Sequence, residues 1–164
     1  MLTHVNHNID PVYDEHSKIL ILGSFPSVKS REARFFYGHP RNRFWTVLSA
    51  LRGESLPCLT EEKRSFLLRN QIAVWDVIES CEIEGSSDSS IRNAVPNALR
   101  RILDTAPIEC IFSNGALSGR LYARYCLPLT GMEAKVLPST SPANAAATLD
   151  RLLEAWSCIN DLLP

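Results

Sequence analysis

The sequence predicts an α/β domain, a three-layer α/β/α sandwich built on a short, mainly parallel central sheet. Three observations carry this. Four short apolar runs, Lys18–Leu22, Ile72–Val77, Ile108–Phe112 and Ala134–Leu137, alternate with stretches of helical spacing, the signature of a parallel sheet covered on both faces. The first of them, Lys18–Leu22, is nearly continuous in apolar character, as strands buried on both faces are. Each run leads into a polar, turn-forming cluster: Gly23-Ser24-Phe25-Pro26-Ser27, Asp76, Ser113-Asn114-Gly115 and Pro138-Ser139-Thr140-Ser141-Pro142.

The elements follow in order. Met1–Ser17 is polar and reads as an irregular lead-in. Lys18–Leu22 is the first strand, ended by Gly23. Gly23–Arg41, with Pro26, Gly38 and Pro40, reads as a long loop, and a loop of that length in a compact domain is usually functional. Asn42–Leu51 has helical spacing and closes at Gly53. Thr60 is placed to cap a helix over Glu61–Asn70, whose leading acids suit the helix dipole. Ile72–Val77 is the second strand and Gly85–Ser90 a polar loop. Pro96 fits the first turn of a helix reaching about Asp104. Ile108–Phe112 is the third strand, Ala116–Tyr125 a helix, and Ala134–Leu137 a fourth strand stopped by Pro138. Pro142–Leu163 reads as one long amphipathic helix with Leu149, Leu152, Leu153, Trp156, Ile159 and Leu163 on its apolar face.

A length of 164 residues suits one domain spanning 1–164 with a sizeable core. No apolar run is long enough to span a bilayer, so no membrane is expected as a partner. Met1–Asn8 lacks the basic start and apolar core of a signal peptide, so the expected address is the cytoplasm, or the nucleus of a host that has one. Cys58, Cys81, Cys110, Cys126 and Cys158 are odd in number and widely spaced, without a CxxC pair. Buried, reduced thiols are expected rather than a disulfide framework, a zinc site or an iron–sulfur cluster.

The net charge of −1 counts against a nucleic-acid partner, but the local distribution reverses that. Lys29, Arg31, Arg34, Arg41 and Arg43 face Glu32 alone, a net of +4, and Phe35, Phe36, Tyr37, Phe44 and Trp45 are interleaved or adjacent. Phosphates attract such cations and bases stack on such rings. In open α/β sheets, ligands bind beyond the carboxyl ends of the strands. A parallel sheet therefore brings the four polar clusters to one rim, where a site is expected.

The segments LGSFPS (Leu22–Ser27), YGHPRNRFW (Tyr37–Trp45), WDVIESCEIEGSSDSSIRN (Trp75–Asn93), FSNG (Phe112–Gly115) and LPSTSPAN (Leu137–Asn144) resemble, in order and spacing, the uracil-DNA glycosylase superfamily. The branch they resemble removes hypoxanthine and is related to mismatch-specific uracil/thymine-DNA glycosylases. The resemblance covers roughly Lys18 to Leu153. It implies hydrolysis of the N-glycosidic bond of deoxyinosine by base flipping and water attack, with no metal, nucleotide or redox cofactor. The partner implied is DNA carrying a deaminated base, met by a monomer near the nucleoid. The superfamily commonly places Asp or Asn where this chain has Phe25; in the hypoxanthine branch the water is assigned to the Asn of HPRN, here Asn42. That departure argues against a conventional uracil enzyme.

The resemblance also implies roles. Asn42 is the catalytic candidate, holding a water through its amide oxygen, against the alternative that it only caps the next helix. His39 is the candidate acid for the leaving purine, against a histidine fixed by local hydrogen bonds. Asn114 pairs with the edge of a flipped base or else forms a turn before Gly115. Phe25 stacks on the base, with Tyr37 as an alternative platform, and Gly23 and Ser24 complete the base site. Arg41, Arg43, Ser139, Thr140, Ser141 and Asn144 are expected on DNA, although Ser141 also fits a helix cap. Asp76 reads best as a carboxylate capping a loop, and Asp88, Arg92 and Asn93 have no derivable role. No lysine matches a Schiff-base position, which points to a monofunctional enzyme. Uracil, xanthine or a mismatched pyrimidine as substrate, a non-catalytic lesion-binding module and a nucleosidase are the rival readings.

Overall fold

The computed structural model describes residues 1–84 and 87–164. Its strands are β1 (Thr3–Asn6), β2 (Ile19–Gly23), β3 (Ile72–Asp76), β4 (Ile78–Ile83), β5 (Arg92–Pro96), β6 (Cys110–Asn114) and β7 (Ala134–Leu137). Its helices are α1 (Val28–Ala33), α2 (Phe44–Arg52), α3 (Thr60–Arg69), α4 (Arg100–Leu103), α5 (Ala116–Tyr125), α6 (Leu127–Thr130) and α7 (Leu149–Trp156).

Strands β3-β2-β6-β7 form a parallel sheet in that order. All residues of β2 and β3 are buried, which is why their sequences are apolar without alternation. Strand β2 leads through α1–α3 to β3 on one side, while β6 leads through α5 to β7 on the other. Right-handed crossovers therefore place α2–α3 and α5 on opposite faces. The expected sandwich is present, with α3 packed on β3, α5 on β6 and β7, and α7 against α2.

Five expectations need correction. The lead-in contains β1, which pairs antiparallel with β4; β4 pairs with β5 to complete a second, three-stranded sheet. Val12 then bridges the outer edge of β3 at Val74 in both directions, so the N-terminal segment covers an edge that would otherwise be open. The Gly23–Arg41 loop holds α1, capped by Ser27. Pro96 ends β5 rather than starting a helix: buried Asn97 donates to the Asp76 and Ile78 carbonyls and pins the chain to the strands.

The expected helix over Pro142–Leu163 begins only at Leu149, capped by Thr148 Oγ1, and passes into a 3-10 turn over Ser157–Asp161. Gly85 and Ser86 of the expected polar loop lie outside the described residues. Gly53 closes α2 in the left-handed conformation, as read, but Thr60 is the first residue of α3 rather than its cap: the cap position is Leu59, whose N–H is accepted by Glu62.

Candidate active site

The carboxyl ends of the parallel strands open into a cleft of about 740 Å³. Its lining includes Gly23–Ser27 from the end of β2, Asp76 from β3, Asn114 and Gly115 from β6, and Ser139–Pro142 after β7. All four sequence clusters thus meet at one rim. Tyr37, His39 and Asn42 line the same cleft.

Asn42, Thr140 and Asn114 form one hydrogen-bonded chain whose polarity is fixed by main-chain donors. The Thr140 N–H donates to Asn114 Oδ1 at 3.0 Å, which leaves Asn114 Nδ2 to donate to Thr140 Oγ1 at 3.0 Å. The Thr140 hydroxyl then donates to Asn42 Oδ1 at 2.8 Å. That oxygen also accepts the Phe44 N–H at 3.0 Å, at the start of α2. The capping alternative for Asn42 is therefore realised alongside its place in the cleft. Both lone pairs of its amide oxygen are thus taken, and among the described residues its Nδ2 has no partner. Asn114 is not in a left-handed turn; the positive φ, 99°, belongs to Gly115. Thr140 is fully buried, so it joins the two amides rather than meeting a phosphate.

Arg43 is likewise structural. Its guanidinium donates to the carbonyls of Ser141 (3.2 Å), Asn144 (3.1 Å) and Ala147, while its own N–H reaches the Thr140 carbonyl at 3.1 Å. These bonds hold residues 141–147 in an irregular course and explain the late start of α7. Asn144 turns inward, donating to the Ser139 carbonyl at 3.0 Å. Ser139 and Ser141 remain on the cleft and stabilise the loop by accepting the N–H groups of Ser141 and Ala143. Arg41 is exposed and leaves its guanidinium to solvent. His39 Nδ1 accepts the Arg41 N–H at 3.0 Å, the local bond that the sequence alternative anticipated.

Most of the aromatics in the basic stretch build core instead of a stacking surface. Phe35, Phe36, Phe44 and Trp45 are all buried. Phe44 lies edge-on to Trp45 and Trp156, with ring centroids 4.9 and 6.1 Å apart. Tyr37 stacks on Phe44 at 3.9 Å and brings its hydroxyl to the cleft floor. Burial pushes that phenol well above its ordinary pKa, the Asp76 carboxylate adds to the push, and the neighbouring Asn114 side chain offsets part of it. Phe25 lines the cleft but is only 8% exposed, with the Arg31 guanidinium 5.5 Å from its ring centre. Ser24 borders the cleft, and Gly23 sits in register with Asp76.

A family model described as the uracil DNA glycosylase superfamily matches residues 11–163. The chain belongs to this superfamily. Two proteins named hypoxanthine DNA glycosylase are similar to it. One, from Methanosarcina barkeri, is 37% identical over 86% of this chain and 89% of its own length. The other, from Methanosarcina acetivorans, is 35% identical over 94% and 98%. A solution NMR structure described as a candidate uracil DNA glycosylase from Methanosarcina acetivorans superposes with a TM-score of 0.81 at 34% identity, covering 96% of each chain.

Sequence reasoning missed His7. It reaches the cleft floor from the supposed lead-in and pairs with Asp76, Nε2 to Oδ2, at 2.8 Å. Asp76 was visible as a strand-end acid, but its partner lies 69 residues away and has no local pattern to mark it.

Proposed function

We propose that the chain is a monofunctional DNA glycosylase that hydrolyses the N-glycosidic bond of deoxyinosine and releases hypoxanthine, starting base excision repair. The observation that carries this reading is the locked Asn42–Thr140–Asn114 chain at the carboxyl rim of the sheet, in a chain 35–37% identical to proteins named for hypoxanthine removal.

The chemistry follows from what the cleft offers. The target base leaves the stack, at a cost of roughly a few kcal/mol that a mispair lowers. The spare Nδ2–H of Asn42 holds a water by one lone pair and leaves another to meet the sugar carbon as the glycosidic bond breaks. An amide is a poor base, so Asn42 orients rather than deprotonates, an effect of about 10²–10³ in rate. Negative charge grows on the departing base, where the Asn114 amide and the Tyr37 hydroxyl are placed as donors. His39 is the candidate acid for a purine nitrogen. Phe25 covers the base, and Gly23 and Ser24 let it approach the strand end. Arg41 with Ser139 and Ser141 meets the DNA backbone. Lys29 borders the cleft, but its side chain is 61% exposed with the ammonium 3.9 Å from Glu32, not a desolvated amine poised to attack. The enzyme acts as a monomer on nucleoid DNA and needs no cofactor.

The test is single-turnover release of free base from duplexes carrying one deoxyinosine, deoxyuridine or deoxyxanthosine, with wild type and Asn42→Ala. Hypoxanthine leaves fastest, and the variant is slower by at least ~10². Borohydride trapping yields no covalent adduct. Tight lesion binding with no release of any base rules out the enzyme and leaves a binding module; release of uracil alone moves the substrate assignment.

A further inference from the structure

The cleft floor holds a buried pair that the chemistry above does not use. The His7 and Asp76 side chains are 3% and 5% exposed, and their bond is 2.8 Å. The tautomer follows from a second contact: the Ile9 N–H donates to His7 Nδ1 at 3.2 Å. Nδ1 therefore carries the lone pair, and Nε2 carries the proton given to Asp76 Oδ2. Phe25, Phe36 and Trp75 box the imidazole, with ring centroids 6.1–6.4 Å away.

The other carboxylate oxygen is the one left for a ligand. Among the described residues no donor reaches Asp76 Oδ1, and Asp76 lines the cleft. The buried Tyr37 hydroxyl beside it, with the Asn114 side chain as a neighbour, finds no acceptor for its proton among the described residues. Gly23 makes room for both: a Cβ there would lie 2.3 Å from Oδ1 and 3.1 Å from the Tyr37 oxygen. An acceptor and an unpaired donor thus sit together on a floor that tolerates no side chain between them.

We propose that His7 locks the Asp76 carboxylate so that Oδ1 accepts a ring N–H from the flipped base, which makes this pair the element that selects deaminated bases over their parents. The proposal rests on reading the cleft as a base pocket. Its chemistry is general. Deamination of adenine replaces an N1 lone pair with an N1–H and an amino group with a carbonyl; deamination of cytosine does the same at N3. A carboxylate only accepts, so it pairs with the N–H of the product and faces the lone pair of the parent with a like charge. Tyr37, kept protonated by burial, supplies a donor for the new carbonyl. Guanine shares the ring N–H, so the pair sorts products against adenine and cytosine only.

His7 gives the idea a sharp test, because it dictates how a substituted amide would sit. In Asp76→Asn the His7 Nε2–H claims the amide oxygen, and the amide nitrogen turns into the cleft. The floor then offers a donor where hypoxanthine needs an acceptor.

The experiment compares single-turnover release from duplexes carrying deoxyinosine, N1-methyldeoxyinosine or deoxyadenosine, for wild type, Asp76→Asn, His7→Gln and His7→Phe, with folding checked by thermal melting. Wild type favours deoxyinosine over the N1-methyl base by at least ~10², the scale for a site built to bond a polar group. Asp76→Asn loses most of that preference, and its deoxyinosine-to-deoxyadenosine ratio falls. His7→Gln keeps a donor to Oδ2 and retains the preference; His7→Phe does not. A folded, active Asp76→Asn with wild-type ratios overturns the proposal and leaves the glycosylase reading standing. If Asp76→Asn does not fold, equal ratios in the two His7 variants overturn it instead. A wild type that releases no base from any duplex sinks the glycosylase reading and this proposal together.

Discussion

The Thr140 hydroxyl donates to Asn42 Oδ1 at 2.8 Å, joining residues 98 positions apart in sequence. Thr140 Oγ1 also accepts a hydrogen bond from Asn114 Nδ2, so one buried threonine sets the orientation of both cleft amides. The rotamer of a lone asparagine is nearly free; here two main-chain donors and one hydroxyl leave a single arrangement.

Thr140→Val keeps the volume but removes the donor to Asn42 and the acceptor for Asn114. Base release at saturating enzyme falls by ~10–10², the scale for a misoriented positioning group, while DNA affinity changes by less than about threefold. Thr140→Ser restores the hydroxyl and most of the rate. Equal single-turnover rates in the valine and serine variants would show that the chain plays no part in turnover.

Arg43 and Arg41 are neighbours in the basic stretch but differ in kind. Arg43 bonds three carbonyls of the 141–147 segment, and a planar fork is needed to reach them together. Arg43→Lys lowers stability by about 1–3 kcal/mol and leaves the salt dependence of DNA binding unchanged. Arg41→Gln, at an exposed position, leaves the melting temperature alone and reduces the salt slope by ~1. Melting curves and a salt titration on the two variants separate the roles.

The parallel sheet was legible because β2 and β3 are buried on both faces and write their apolar character in every residue. The cleft was legible because turn-forming residues must follow such strands. The antiparallel sheet was not, for two reasons. Strand β1, THVN, is largely exposed, and the β4–β5 register shifts at Ile78/Ser80 and Ser80/Glu82, which breaks the alternation that marks a half-buried strand. The alanine-rich stretch before Thr148 carries helix propensity, yet Arg43 takes its carbonyls from across the fold, so tertiary bonds override the local preference. Arg43 itself looked like a phosphate ligand because sequence shows a charge without its partners.

Gly119 in α5 tests how tightly that helix lies on β7. A Cβ there would fall 2.6 Å from Val136 Cγ2, the stiff end of a β-branched side chain. Alanine in a helix interior otherwise gains about 1 kcal/mol over glycine. Gly119→Ala is thus destabilising in the wild-type background and stabilising by about 0.5–1 kcal/mol in Val136→Ala. Denaturant melts of the four proteins in the cycle measure the coupling; additivity within error would mean that α5 has room to shift.

Alkaline pH probes the buried acids. Burial raises the Cys126 thiol from its usual 9.0 to about 11, and it raises Tyr37 and Tyr122 as well. Each group therefore holds its proton more tightly folded than unfolded. The stability this contributes is complete below the unfolded values. For Cys126 it disappears as pH climbs from 9 through about 11, because the unfolded thiol ionises first and draws the equilibrium with it. Melting temperature therefore falls steadily above pH 9. Cys126→Ala is less stable at pH 8, where the side-chain packing is lost, but it declines less between pH 9 and 11. The tyrosines sustain the remaining slope above pH 10. Parallel slopes in the two proteins across that window would mean that Cys126 ionises as freely folded as unfolded.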